Sequence, residues 1–256
     1  MATAPKKHLM TDGLIIREYE TVTEADRFVA ILTRDKGLVY ATARGAKRVK
    51  SRFGSATQPL CYAALSLIPA RDKYIIEDAR PKEVFFSLRQ DIEKMALAQY
   101  FCELALQLSP TDGLPSEDHL RLFLGGLHYL CQGQKPPLLI KAVLEGRLLS
   151  LEGYMPDLTG CCRCAKNEGE LWFSPSAGTL YCAAHSGQVG KDGAIPVSTG
   201  VLAALRHILY GSLERCYAFS LPSAEIAALA TLMERFLLAQ VQRSFKTLEF
   251  YHTLKP

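Results

Sequence analysis

The sequence predicts an α+β protein in which a small N-terminal β-barrel precedes a helical region that a cysteine-rich insertion interrupts. Three observations lead to this prediction. Short segments rich in Val, Ile and Tyr fill residues 10–80, apolar residues recur at helical spacing after residue 81, and four cysteines cluster in an aperiodic stretch. We therefore expect four parts: a barrel, a first helical part, the insertion and a second helical part, over residues 1–80, 81–155, 156–196 and 197–256.

Five short strands are predicted in the first part, and several of them alternate apolar and polar residues. Their limits are Leu14–Tyr19, Arg27–Thr33, Leu38–Arg44, Leu60–Ile68 and Lys73–Asp78. The turn at Asp35–Gly37 joins the second and third strands as a hairpin. Five strands within about 70 residues fit the OB-fold, a five-stranded barrel. An SH3-like barrel fits the same pattern, and Pro81 is expected to end the block.

Helical periodicity follows Pro81. Apolar residues form one stripe at i, i+3 and i+4 spacing from Leu88 to Leu108. Further helices are expected at residues that suit a helix N-terminus: one from Ser116 to about Leu130, one from Pro136 to Gly153, one capped by Ser198, and one capped by Ser223 that runs from Glu225 to about Gln240. This part of the chain is therefore predicted to be helical on both sides of the insertion.

The charge of the chain is unevenly distributed. Of the 256 residues, 48% are hydrophobic and 22% are charged, with a net charge of +4. Residues 1–80 contain 14 Lys and Arg against 9 Asp and Glu, a balance of +5, whereas residues 81–256 have a balance of −1. The basic excess favours an anionic partner for the barrel. Because we find neither a secretory signal nor a membrane-spanning apolar run, we expect a cytoplasmic protein whose clustered cysteines bind metal.

Two pairs of metal-ligating residues lie in the insertion. Two residues separate Cys161 from Cys164 and Cys182 from His185, and 17 residues lie between the pairs. This spacing is typical of zinc ribbons, in which two tight turns direct four nitrogen and sulfur ligands at one ion. Cys162 is an alternative ligand to Cys161. We predict one structural Zn²⁺, because four protein ligands leave no open position for catalysis. The remaining cysteines are predicted to be core residues: Cys61, Cys102, Cys131 and Cys216.

The densest basic segment lies between the third and fourth predicted strands. It contains five cations and no acid in nine residues and is followed by an aromatic residue: Arg44, Lys47, Arg48, Lys50, Arg52 and Phe53. In OB-folds, cations of strands and loops contact the phosphates of single-stranded nucleic acid, and aromatic rings contact the bases. We therefore predict DNA binding by this segment, with a solvated loop as the alternative. Candidate stacking residues, each with barrel packing as its alternative, are Tyr40, Phe53, Tyr62 and Tyr74.

Motifs of several enzyme classes are missing from the sequence. It contains no phosphate-binding loop, no dinucleotide-binding glycine motif after a strand and no Gly-x-Ser-x-Gly turn. The pattern therefore predicts a binding protein. A zinc-ribbon factor of transcription or translation and a zinc enzyme are the alternatives.

Several segments resemble the bacterial RecO recombination mediators, in the same order along the chain. They are residues 43–54 with 58–59, residues 74–77 with Arg80, residues 145–158 leading into Cys161, and residues 173–175 with Gly178 before Cys182. His185 stands where many relatives have cysteine. The resemblance implies a non-enzymatic protein that binds single- and double-stranded DNA and anneals complementary strands. It also implies binding to RecR and to the C-terminal tail of the single-strand DNA-binding protein, and a part in loading RecA.

Overall fold

Five strands close into a barrel at the N-terminus of the computed structural model, which describes residues 8–111, 113–188 and 193–254. The strands are β1 Leu9–Tyr19, β2 Arg27–Thr33, β3 Gly37–Ala43, β4 Cys61–Ala70 and β5 Lys73–Val84. Their order around the barrel is β1-β2-β3-β5-β4, and β4 pairs with β1 to close it. The β3–β5 pair is parallel and the other pairs are antiparallel. This arrangement confirms the OB-fold prediction over the SH3-like alternative.

Alternate residues of the strands fill the inside of the barrel. Ile15, Val29, Ile31, Val39 and Leu65 are each no more than 1% exposed and belong to one hydrophobic cluster. Their neighbours along each strand point to the opposite face, because successive side chains of a strand alternate. Part of the outer face is also covered, since Leu14, Ile16 and Leu32 are buried there, whereas Tyr40 on β3 is exposed.

The chain forms two compact units. One contains the barrel together with the helices α1 Ile92–Leu108, α2 Glu117–Gln132 and α6 Lys246–Thr253, and a short 3-10 helix at Phe86–Gln90. The Asp91 carboxylate caps α1 by accepting a 3.1 Å hydrogen bond from the Lys94 N–H. Before α2, the Ser116 hydroxyl donates to the Thr33 carbonyl at 2.5 Å.

The second unit contains three helices and a small sheet. The helices are α3 Pro137–Leu151, α4 Thr199–Tyr210 and α5 Ser223–Val241, and the strands are β6 Asp157–Cys161, β7 Leu171–Ser174, β8 Thr179–Cys182 and β9 Ile195–Val197. The sheet order is β6-β8-β7-β9. A 3-10 turn follows β8 at Ser186–Gln188 and another follows α4 at Leu213–Arg215.

Helix α3 is buried on nearly all sides, and charged residues lie within it. The Lys141 ammonium contacts Glu145 and Glu234, each at 2.7 Å, and Lys141 and Glu145 are 1% and 0% exposed. Burial alone lowers the pKa of Lys141, but the two carboxylates outweigh it and raise the pKa. The Arg147 guanidinium donates to the carbonyls of Ile208 and Gly211, at 3.0 and 2.9 Å, where α4 ends. These contacts join α3 to α4 and α5.

Side chains of α4 and α5 hold the small sheet. The Arg206 guanidinium donates to the Leu158 carbonyl at 2.6 Å, and the Gln240 amide donates to the Pro175 carbonyl at 2.9 Å. Phe173 and Phe236 meet edge to face with ring centroids 5.3 Å apart. The insertion is therefore packed on α4 and α5, the two helices that follow it in sequence.

Several predicted boundaries need correction. Strand β5 continues through Pro81 to Val84, because Pro81 lies opposite Ala63 next to a register shift of the β4–β5 pair. Ser198 caps α4 as predicted and accepts from the Val201 N–H at 3.1 Å. Ser223 is instead the first residue of α5, after Pro222. In the described ranges, no helix has the length and apolar character that a membrane crossing requires.

Candidate metal centre and nucleic-acid interface

Two neighbouring strands of the small sheet bring the predicted metal ligands together. Cys161 ends β6 and Cys182 ends β8, and these strands pair in parallel. Cys164 and His185 follow, each on a tight turn. In the first turn the Cys161 carbonyl accepts a hydrogen bond from the Ala165 N–H at 2.7 Å. In the second turn the Cys182 carbonyl accepts one from the His185 N–H at 2.9 Å. The four side chains thus point into one space.

The spacing of the ligand atoms fits one tetrahedral ion. All four lie within 4.8 Å of one another. The Cys164 and Cys182 sulfurs are 3.8 Å apart, and the His185 Nδ1 lies 3.5 Å from the Cys161 sulfur and 3.2 Å from the Cys182 sulfur. A tetrahedral zinc with Zn–S near 2.3 Å and Zn–N near 2.0 Å requires edges of about 3.8 Å between sulfurs and about 3.5 Å between sulfur and nitrogen. This cluster could hold a metal ion with the donor set of a structural zinc site.

Electrostatics at the cluster favour a thiolate. Burial raises the pKa of the Cys161 thiol, but backbone N–H groups of Arg163, Cys182 and Cys164 and the His185 ring outweigh it and lower the pKa to about 6. Cys162 is exposed and lies outside the cluster. The geometry therefore selects Cys161 over Cys162 as the partner of Cys164.

Three of the four cysteines outside the insertion are buried. Cys61, Cys102 and Cys216 are buried, and Cys131 is half-buried. Burial raises the pKa of Cys61 to about 11, that of Cys102 to about 12 and that of Cys216 to about 11. Such thiols are protonated at neutral pH and are inert core residues.

The predicted DNA-binding segment forms the β3–β4 connection, residues 44–60, which we call the basic loop. Phe53 anchors this loop, because its ring is 8% exposed and belongs to the barrel core. The stacking role considered for Phe53 is therefore replaced by a packing role. Buried Arg27 holds the same loop by donating to the Gly54 carbonyl at 2.6 Å and the Thr57 hydroxyl at 2.8 Å.

The five cations of the basic loop fall into two groups. Lys47 pairs with Glu18 at 2.8 Å, and Arg52 donates to the Glu77 carbonyl at 3.1 Å. Among the described residues, the exposed side chains of Arg44, Arg48 and Lys50 have neither an ion-pair nor a hydrogen-bond partner. These three form the free-cation set, which is available to an anion without loss of an internal contact.

Three aromatic side chains lie together on the outer face of the barrel, and we call them the aromatic platform. They are Tyr19, Phe28 and Tyr40, with ring centroids 5.7 to 6.0 Å apart. Of these three residues, only Tyr40 was a stacking candidate from the sequence. Sequence reasoning missed Phe28. Because side chains alternate along a strand, its position next to the inward-facing Val29 places it on the outward face of β2 and could have identified it. Of the other candidates, Tyr74 packs against the barrel core and Tyr62 lies on β4 under the Lys82 ammonium.

Two family models of known proteins match this chain, one over its N-terminal part and one over its C-terminal part. The family model described as recombination protein O N terminal matches residues 7–85, and that described as recombination protein O C terminal matches residues 89–249. The chain belongs to the RecO family of DNA repair proteins. The DNA repair protein RecO of Symbiobacterium thermophilum is 31% identical over 95% of this chain and 96% of its own length. That of Acetivibrio thermocellus is 29% identical over 96% and 97%.

One further cavity of this RecO-family chain lies in the barrel unit. It has a volume of about 610 Å³ and an apolar floor that includes Ile16, Leu60 and Met95. Its rim carries cations and acids: Arg17, Arg89, Lys246, Glu18 and Glu103. Both acids are engaged within the protein, since Glu18 pairs with Arg27 and Lys47, and Glu103 accepts hydrogen bonds from Thr247. We call this cavity the rim pocket.

Proposed function

We propose that this protein is a recombination mediator that binds single- and double-stranded DNA through its barrel and anneals complementary strands. Together with RecR, it helps load RecA onto DNA coated by the single-strand DNA-binding protein. Membership of the RecO family supports the repair role. The observation that carries DNA binding is the free-cation set, three exposed cations on a loop anchored to the barrel.

Annealing requires that two like-charged strands approach each other. Cations placed along one strand neutralise its phosphates and displace condensed counterions, which lowers the repulsion on the second strand. Arg44, Arg48 and Lys50 supply such contacts, and Lys47 and Arg52 add to them where a phosphate competes with Glu18 or the Glu77 carbonyl. Phosphate contacts read charge and not sequence, which suits a protein that acts at any gap.

We propose that the metal cluster holds one structural Zn²⁺. Cys161, Cys164, Cys182 and His185 supply four ligands, which complete a tetrahedron. The binding free energy of the ion stabilises the small sheet, whose strands are only three to five residues long. No step of DNA binding is assigned to the ion.

The rim pocket is the surface that best fits the tail of the single-strand DNA-binding protein. An acidic tail with apolar side chains requires an apolar floor and cations at the rim, and the pocket offers both. The sequence of the helical part offers four further cations as candidates for this groove: Arg121, Lys141, Arg206 and Arg215. Three of them are engaged internally, because Lys141 is buried against two carboxylates, Arg206 donates to the Leu158 carbonyl, and Arg121 pairs with Asp118 at 3.9 Å.

The proposed activities require no catalysis, and we place the protein in the cytoplasm at the nucleoid. The deciding experiment is annealing of complementary oligonucleotides coated by the single-strand DNA-binding protein, with and without RecR. We expect the full chain to accelerate annealing and to lose that effect when Arg44, Arg48 and Lys50 are replaced by alanine. Absence of annealing by the parent chain, with DNA binding intact, would favour a different nucleic-acid-binding role.

A further inference from the structure

We propose that the aromatic platform stacks unpaired bases, so that the barrel recognises single strands by their bases as well as by their phosphates. This inference rests on the proposed function, because it requires DNA on the barrel. It goes further by assigning a separate site to the bases and by explaining a preference for single strands over duplex.

The rings of the platform lie on three adjacent strands. Tyr19 of β1 is directly opposite Phe28 of β2 in the strand register, and Tyr40 lies on β3. The Phe28 and Tyr40 rings are nearly parallel, with an interplanar angle of 27° and centroids 6.0 Å apart. Burial within the barrel does not explain them, since the core is filled from the alternate positions of these strands. Tyr40 is 39% exposed and presents its ring to solvent.

Cations surround the same rings. The Lys73 ammonium lies 5.4 Å from the centroid of Phe28, and the Arg17 guanidinium lies 5.3 Å from that of Tyr19. Phe28 and Tyr40 line a groove of about 1040 Å³, to which Arg44 and Arg71 also contribute. This groove therefore places aromatic faces between cations, as sites for single-stranded nucleic acid do.

The groove keeps a net positive charge, because its lining has three cations, Arg44, Arg71 and Lys73, against the two acids Asp26 and Asp72. Asp26 is engaged, because its carboxylate accepts from the Gly45 N–H at 2.7 Å. Asp72 lies on the β4–β5 turn between Arg71 and Lys73. Since Arg44 belongs both to this groove and to the free-cation set, one strand can contact the loop with its phosphates and the platform with its bases. Single-stranded DNA is the occupant that matches both chemistries, because a duplex keeps its base faces covered.

The test compares a thymidine oligonucleotide with an abasic strand of equal length and charge. The variant combines Phe28→Leu and Tyr40→Leu, which keeps apolar bulk and removes the aromatic faces. Tyr62→Leu is the matched control, because Tyr62 also lies on the barrel surface under a lysine, 5.4 Å from the Lys82 ammonium, but outside this groove. Full-length protein is used throughout, and Tyr40→Leu alone covers the case in which the double variant is unstable.

We expect the parent to bind the thymidine strand more tightly than the abasic strand. The double variant should lose about 5- to 150-fold in affinity for the thymidine strand per stacked base lost, which corresponds to the range of base–aromatic stacking. Its affinity for the abasic strand and its salt dependence should stay unchanged, and Tyr62→Leu should behave as the parent. A 2-aminopurine base in the strand should change its fluorescence on binding to the parent and not to the variant.

The stacking inference is overturned if the parent binds the thymidine strand and the abasic strand equally well. It is also overturned if the Phe28→Leu/Tyr40→Leu double variant and Tyr40→Leu alone both bind the thymidine strand as tightly as the parent does. The proposed function has a separate failure. DNA binding by the basic loop is refuted if alanine at Arg44, Arg48 and Lys50 leaves the affinity for both strands unchanged, whatever the leucine variants do.

Discussion

Replacement of Arg44, Arg48 and Lys50 by alanine should flatten the salt dependence of DNA binding. Each phosphate contact by a cation contributes about −0.7 to the log–log slope for single strands. If all five loop cations contacted phosphates, the loop would contribute about −3.5. The structure leaves three of them free, and these three contribute about −2.1. The triple variant should therefore have a slope less negative by about 2 units.

The measurement is a fluorescence anisotropy titration of a labelled oligonucleotide between about 50 and 200 mM salt. A slope of −2.1 corresponds to a loss of about 20-fold in affinity over this fourfold range, and the triple variant should lack that part. Lys47→Ala with Arg52→Ala is the matched control, because it removes the two cations that already have partners. The interpretation is wrong if this control flattens the slope as much as the triple variant does, or if the triple variant keeps the slope of the parent.

Three further changes test the metal cluster and the two units. Cys182→Ser should lower the metal content and loosen the small sheet while DNA binding persists; elemental analysis that finds no metal in the parent, purified without chelator, would refute the site. Lys141→Met should destabilise the protein by about 3–5 kcal/mol in urea unfolding, because Glu145 is left as a buried unpaired charge, whereas Lys141→Met with Glu145→Leu should recover most of the loss. Gly37→Ala should lower the melting temperature, since Gly37 has a φ of +68° and a Cβ would overlap the Pro110 carbonyl; an unchanged melting temperature would contradict this.

Much of the barrel and of the metal cluster could be predicted from sequence because both signals are local. Alternating apolar residues mark the strands, and the spacing of Cys161, Cys164, Cys182 and His185 marks two turns that face one ion. The structure adds the pairing of β6 with β8, which depends on contacts distant in sequence. The strands of this sheet have three to five residues, too few for a periodic pattern to be visible.

The parts that sequence did not predict depend on burial and on long-range neighbours. Phe53 follows a basic segment and resembles a stacking residue, yet it fills the barrel core. Lys141 resembles a surface cation, but α3 is buried on nearly all sides and the lysine finds two carboxylates there. Tyr19 and Phe28 come from separate strands, and only the register of the barrel brings them beside Tyr40.

DNA binding by the outer face of the barrel is tested most directly by photo-crosslinking. The full chain is bound to an oligonucleotide that carries photoreactive bases, irradiated, digested and analysed by mass spectrometry. We expect the crosslinked peptides to come from β2, β3 and the basic loop, residues 27–60, with Tyr40 among the modified residues. Crosslinks confined to residues 132–245 would contradict the assignment of DNA binding to the barrel.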